Sequence, residues 1–414
     1  MLSQYFESAF RIQALKGGPA GAQVESFAQQ LYESGYAQIT ARKHLRAVEH
    51  FVFWARRTGT PLSNLTEESV ERFGCHLRRR PCAHFGHADR HQLHSARLFL
   101  GQLQHVSIVR ADHVANTIQD PTLLLNFCQW MRQLRGTCEA TLYNYKIHIR
   151  RVLDHLGGEP GKFDARNLRQ FVMVAHREWG WAAAKKCTTA LRMFLRFLIA
   201  EGKCPGSLYA AVPVLAHWRL ASLPRYLQED EVERVIASCD PLSPVGRRDR
   251  AILLLLARLG LRAGDVVQLQ LRDIDWKDAW IDVCGKGRCH TRLPLTHEVG
   301  QAIVAYLENG RPRTDTDVVF LRSRPPFRPF ASHCAVSVIV ERALRRATVT
   351  RPSRGAAHLL RHSVASSMLR HGASLQDIAS LLRHRSIETT QIYAKVDVIA
   401  LRKIAQPWPE VQPC

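Results

Sequence analysis

Apolar residues recur at helical spacing through the first two hundred positions. Leu45, Val48 and Val52 advance in steps of three and four, and so do Ile149, Val152 and Leu156. On a 3.6-residue helix that spacing draws one apolar stripe. Both stretches belong to longer units that match in order. The first contains Ile39–Phe51, then Leu65–Phe73, then Arg97–Leu103; the second contains Ala140–Val152, Phe163–Phe171 and Arg192–Leu198. Thr40 aligns with Thr141 and Thr66 with Asp164, and all four are expected at helix N-caps, where a short side-chain oxygen accepts from a free backbone N–H. Each unit therefore reads as a bundle of about four helices, roughly 90 to 100 residues, the size of a small domain.

The helical period breaks from Leu208 to Pro224, where Val212-Pro213, Trp218 and Leu223-Pro224 interrupt it, and this stretch reads as a linker. Beyond Arg225 the pattern predicts helices over Glu229–Ser238, Arg247–Leu259, Thr296–Leu307, Ala331–Ala347, His358–His371, Leu375–Leu382 and from Ile387 onward. The run Ala251–Ala257 is apolar enough for the central buried helix. Trp280–Cys284 and His290–Leu295 alternate like two short strands around Gly285-Lys286-Gly287, a hairpin pattern. Gly372 is placed to end one helix, and Ser374 (with Asp377 three later) and Ser386 to start the next two. The expected fold is mainly α with a small β-hairpin: a helical bundle over 1–110, a second over 111–215, and a mixed α+β domain over 225–414.

Composition narrows the function. The chain has 414 residues, 46% of them hydrophobic, enough for two or three folded bodies. Its longest apolar run, Ala251–Ala257, is far below the roughly 20 residues of a membrane span. The start, Met1–Gln13, lacks the basic end and apolar stretch of a signal peptide, so a cytoplasmic, nucleoid-associated location is expected. Eleven cysteines without a C-x-x-C pair fit reduced thiols better than a disulfide framework. Fifty-eight Lys and Arg against 36 Asp and Glu give a net charge of +22, which points to a polyanionic partner, nucleic acid before a membrane surface.

Phosphodiester chemistry needs cations on the non-bridging oxygens, proton carriers at the bridging ones, and a nucleophile. His358 and Arg361 lie three apart, on one helix face; His384 follows 23 positions after Arg361, and Tyr393 nine further. Upstream, Gly260-Leu261-Arg262 ends the buried helix, with Asp265 placed to hold Arg262, and Lys286 stands at the hairpin tip. In these motifs the chain resembles the tyrosine recombinase (phage integrase) family. The family's Arg in G-L-R, hairpin Lys in G-K-G, H-x-x-R, His in L-G-H and Tyr nine residues later fall on Arg262, Lys286 (before Leu293-Pro294-Leu295), His358, Arg361, His384 and Tyr393. The likeness is tight over about 190 residues and loose over the preceding bundle, which corresponds to the family's core-binding, SAM-like domain.

The resemblance implies a site-specific recombinase or integrase, transposase-like and carried by a mobile element, that cuts and rejoins DNA. In it Tyr393 forms a 3′-phosphotyrosyl link, His358 acts as general base, Arg262 and Arg361 clamp the phosphate, Lys286 protonates the leaving 5′-oxygen, and His384 donates to the phosphate. No cofactor is implied. The implied partners are double-stranded DNA bearing recombination sites and further copies of the chain in a tetramer, or related recombinases in a mixed one. The amphipathic tail Val396, Ile399, Leu401, Ile404 is compatible with docking on a neighbour or on its own domain. Three departures from the family pattern stand out: Leu359 replaces a frequent Asp, Arg383 the usual Gly, and Ala263-Gly264-Asp265 the frequent Ser-Glu. The other readings are a type IB topoisomerase-like enzyme and a catalytically silent DNA-binding repressor of the same fold.

A second constellation runs from Cys75 to His94: Cys75, His76, Cys82, His84, His87, His91 and His94. Cys75, Cys82, His84 and His87 are the candidate metal ligands, although the spacing matches no standard zinc module. A basic loop touching DNA beside Arg78, Arg79 and Arg80 is the plainer expectation. Arg150-Arg151 and Lys185-Lys186 are expected to meet phosphates from the second bundle.

Overall fold

The computed structural model describes residues 1–79, 89–109, 121–215, 223–285, 290–350, 355–384, 386–396 and 401–402. By compactness the chain divides into two units, one formed by Met1–His105 with Arg219–Cys414 and one by Val106–Trp218.

The first unit begins with a helical bundle of α1 (Ala9–Lys16), α2 (Gly21–Glu33), α3 (Gln38–Arg57), α4 (Glu67–Arg79) and α5 (Asp89–His105). α3 packs against α2, α4 and α5. Leu45, Val48, Phe51, Phe73 and Phe99 are fully buried between them, so the predicted stripe does face the core. The second unit holds α6 (Thr122–Arg135), α7 (Glu139–Leu156), α8 (Ala165–Ala200) and the short α9 (Ser207–Ala211). Gly180 breaks α8 with φ 75° and ψ 167°, a conformation costly for any residue with a β-carbon. The segments matched in the sequence fall on α3 and α7, on α4 and the first half of α8, and on α5 and the second half of α8. Of the Cys- and His-rich segment, Cys75 and His76 lie in α4 and His91 and His94 in α5.

Two of the four expected N-caps are corrected. Thr66 and Asp164 do cap, accepting from Ser69 N at 3.3 Å and Asn167 N at 2.7 Å. Thr40 and Thr141 instead sit third in their helices, whose caps are Ala37 and Cys138. The additional residues are anchored from outside: Gln38 donates to the Gln4 carbonyl at 2.6 Å, and Glu139 accepts from Arg132 at 2.6 Å. Leu208, expected in the linker, lies in α9 and is buried in the core of the second unit.

The rest of the first unit comprises α10 (Glu229–Ala237), α11 (Pro244–Ala257), α12 (Ala263–Gln268), β1 (Ile274–Asp275), β2 (Trp280–Cys284), β3 (His290–Pro294), α13 (His297–Asn309), α14 (Cys334–Arg346), α15 (Ala356–Arg370) and α16 (Leu375–Leu381). β2 and β3 form the anticipated hairpin, with Ile281 opposite Leu293, and β1 adds an antiparallel edge in the order β1-β2-β3. α11 is the central helix: every residue from Ala251 to Leu256 is fully buried, against α13, α14 and α15. Gly372 takes φ 86° after α15, and Ser374 with Asp377 forms a capping box on α16. The helix expected from Ile387 is replaced by two 3₁₀ turns, Ile387–Thr389 and Tyr393–Val396. Thr390 and Tyr393 must both point inward, and a tight 3.0-residue turn brings positions three apart into line. Among the described residues no helix is long and apolar enough to cross a membrane.

Candidate active site

The site is built where α11 ends, α15 begins and α16 stops. Gly260 reverses the chain after α11 with φ 58°, and a β-carbon there would meet Leu382 Cδ2 at 2.7 Å. Two residues on, Arg262 occupies the N-cap of α12. Asp265 was expected to hold Arg262, and it does so through the backbone. Asp265 Oδ2 accepts from the Arg262 backbone N at 2.9 Å and pairs with the Arg383 guanidinium at 2.5 Å. The Arg262 guanidinium goes elsewhere, donating from Nη2 to the carbonyls of Leu382 at 3.4 Å and Arg383 at 3.2 Å.

Arg361 comes from the second turn of α15 and is 4% exposed. It donates to the carbonyls of Gly260 and Leu382. Burial lowers its pKa to about 9, reinforced by Arg262 and Arg383. The Arg383 side chain is buried and paired with Asp265. Of the three guanidiniums, that of Arg383 is paired with the Asp265 carboxylate. The described acceptors of Arg262 and Arg361 are neutral main-chain carbonyls, which orient a cation without cancelling its charge. Such a pocket favours an anion.

Two of the expected histidines flank these arginines. His358, in the first turn of α15, is exposed; the protein around its ring, then Arg361, Arg262 and His333, lowers its pKa. His384 directly follows the turn that anchors the arginines, and its Nδ1 lies 2.8 Å from Thr390 Oγ1. Burial, with Arg361 and Arg262 close by, brings His384 down to about 4, so it is neutral at pH 7. Tyr393 is 1% exposed, set among Ala365, Leu369, Ile378 and Leu382. Burial pushes its pKa up to about 12, opposed by Arg361, so the hydroxyl keeps its proton.

The sequence reading missed His362. Its Nδ1 lies 2.8 Å from the Tyr393 hydroxyl, and burial, then His358 and Arg361, holds its pKa at about 4. A signal was present: His362 stands four residues after His358, one helical turn along the same face, and the rings lie 6.4 Å apart.

Lys286 lies outside the described residues, as do Cys82, His84 and His87. Cys75 is exposed and accepts from Arg78 Nη2 at 3.1 Å. His91 and His94 instead crowd His44, with the His44 and His91 rings stacked at 4.8 Å. Among the described residues no group of three or more His, Cys, Asp or Glu is arranged to hold a metal ion. In the second unit Arg151 lies over the Trp179 ring at 4.7 Å and Lys185 over Trp181 at 4.8 Å, so part of that basic face is braced by aromatic rings.

Comparison with known proteins places this geometry. Residues 225–398 match the model of the phage integrase family. The chain is similar along nearly its whole length to the Sinorhizobium fredii protein named integrase/recombinase y4rA: 37% identity over 413 residues, covering 98% of this chain and 99% of that one. It is 28% identical to the tyrosine recombinase XerD of Listeria monocytogenes over 298 residues, 68% of this chain and 96% of XerD. Among solved structures, XerH recombinase bound to difH DNA after cleavage has the same fold, with TM-score 0.57 and 19% identity over 71% of this chain and 86% of that one. The fold of a lambda integrase dimer on a core site is likewise similar, with TM-score 0.54 and 20% identity over 70% of this chain and 98% of that one.

Proposed function

The chain belongs to the phage integrase family, the tyrosine recombinases that cut and rejoin DNA by transesterification, and on that premise we propose that it recombines specific DNA sites through Tyr393. The observation that carries the assignment to these residues is the convergence of Arg262, Arg361 and His384 on one turn, nine residues before a tyrosine hydroxyl already engaged by a histidine. The Tyr393 oxygen attacks a scissile phosphorus, a 3′-phosphotyrosyl bond forms, and the 5′-oxygen leaves as a hydroxyl. The pentacoordinate transition state carries extra negative charge on its non-bridging oxygens, and Arg262 and Arg361 stabilise it. His384, neutral at pH 7 with Nδ1 engaged by Thr390, is suited to hydrogen-bond a phosphate oxygen from its other nitrogen.

The tyrosine proton needs an acceptor, and in this reading the His358–His362 pair on α15 supplies it, His358 as the general base and His362 as the group holding the hydroxyl. Lys286, which lies between β2 and β3 in the sequence, is assigned the proton for the leaving oxygen. Because the phosphotyrosine keeps the energy of the broken ester, a second 5′-hydroxyl reseals the strand without a nucleotide cofactor. The partners are duplex DNA with paired recombination sites and further copies of the chain, in a tetramer on two duplexes. The parts 1–110 and 111–215 contribute DNA-holding surface, 225–414 does the chemistry, and the protein works on the nucleoid for a mobile element.

The test incubates the protein with nicked duplexes carrying candidate element ends, then separates products under denaturing conditions. A protein–DNA adduct is expected from the natural chain and none from Tyr393→Phe. An adduct that persists in Tyr393→Phe overturns the nucleophile assignment.

A further inference from the structure

Arg383 has a left-handed backbone, with φ 52°. It directly follows Leu382, the C-cap of α16, where glycine is the ordinary residue because it has no β-carbon to clash. A side chain held there against that preference must gain something from its surroundings. Its guanidinium is 6% exposed and pairs at 2.5 Å with Asp265, itself 7% exposed, while Nε and Nη1 are buried without a partner among the described residues. Satisfying its own donors therefore does not explain its place.

The hydrogen bonds around it close a circuit. Asp265 accepts from the Arg262 backbone N and from the Arg383 side chain, and the Arg383 carbonyl accepts from the Arg262 side chain at 3.2 Å. The neighbouring Leu382 carbonyl accepts from Arg361 and, at 3.4 Å, from Arg262. Once the Asp265–Arg383 link is cut, the hydrogen bonds described between this turn and the start of α12 run through Arg262, a residue the turn is meant to aim. We propose that Arg383 is a positioning residue for strand cleavage: bridged to Asp265, it fixes the turn whose carbonyls aim Arg262 and Arg361 at the scissile phosphate. This rests on the strand-cleavage reading of the site above.

The experiment first lets the wild-type protein select its own substrate, by covalent capture from a pool of nicked duplexes with a randomised core. Single-turnover adduct formation and equilibrium affinity are then measured on one recovered duplex. Arg383→Gly relieves the left-handed strain and removes the bridge, so the protein should fold and bind the duplex as before. Adduct formation should slow by ~10- to 100-fold, the scale expected when a reacting group is misplaced by about an ångström. Arg383→Lys, which keeps a cation opposite Asp265, should restore part of the rate, and adding Asp265→Asn to Arg383→Gly should cost little more. A wild-type cleavage rate in Arg383→Gly overturns the proposal, as does a parallel loss of rate and affinity, the mark of direct phosphate contact. If Arg383→Gly does not fold, wild-type rates in both Arg383→Lys and Asp265→Asn overturn it. A wild-type protein that captures no duplex removes the strand-cleavage reading and the proposal together, whereas a normal variant beside an active wild type removes the proposal alone.

Discussion

The contact between His362 and Tyr393 can be measured without knowing the DNA site. In His362→Phe the ring is kept and the acceptor lost, so the Tyr393 hydroxyl, now 2.8 Å from Nδ1 and on a side chain 1% exposed, is left in an apolar pocket without a partner. Stranding a buried polar group costs ~1–3 kcal/mol. Tyr393→Phe alone strands the other partner, at a similar cost. In the double variant both polar groups are gone and two apolar rings meet, so the penalties should not add. The expected coupling is on the order of 1 kcal/mol, within the range for directly contacting residues. The assay is urea unfolding of the four proteins at pH 7.5, where His362, with a pKa of about 4, is neutral in the folded state. Additive penalties, with coupling below ~0.3 kcal/mol, would refute the idea that this pair holds the nucleophile in its pocket.

Other expectations follow from the same neighbourhood. His44, His362 and His384 are each held at about 4 by burial, against 6.5 when unburied, so the unfolded chain takes up protons first as pH falls. Their contribution to stability should therefore be flat above pH 6.5 and fall between pH 6.5 and 4. Urea midpoints across that window check it, and a midpoint that rises on acidification contradicts it. Gly260→Ala puts a β-carbon on a residue with φ 58°, 2.7 Å from Leu382 Cδ2, and should cost ~1–3 kcal/mol while disturbing the carbonyl that holds Arg361. Thermal melting reads the first effect and adduct formation the second. Arg361→Lys cannot reach both the Gly260 and Leu382 carbonyls with a planar fork, so adduct formation should drop ~10²- to 10³-fold, as for loss of one transition-state donor. A drop below tenfold would mean that charge alone suffices there.

The sequence carried the fold further than it carried the contacts. Periodicity located α11, α13, α14, α15 and the β2–β3 hairpin to within a few residues, because each buries one continuous apolar face and that face is written in the spacing. The segment after Ser386 defeated the same reasoning. Its inward residues, Thr390 and Tyr393, are polar-tipped and three apart, a spacing that helix and 3₁₀ turn share. Within the site, Arg262, Arg361, His384 and Tyr393 were legible because phosphoryl chemistry demands those residue types. Their anchors were not, for a physical reason. The acceptors for Arg262 and Arg361 are the carbonyls of Gly260, Leu382 and Arg383, and a carbonyl has no letter of its own in a sequence. Asp265 was half legible. A carboxylate three residues from Arg262 reads as its partner and does hold it, by the backbone N that opens α12, but its pairing with the distant Arg383 has no local signal.

That the arginines are held by main-chain oxygens also bears on how the site can change over time. A side-chain anchor is lost by one substitution, but a carbonyl survives any replacement that leaves the backbone path intact. Leu382 is free to become another apolar residue without releasing Arg361. What cannot vary is the path itself, which depends on Gly260 and on the left-handed step at Arg383. Drift in this family member is therefore expected to spare two backbone angles more strictly than the side chains around them.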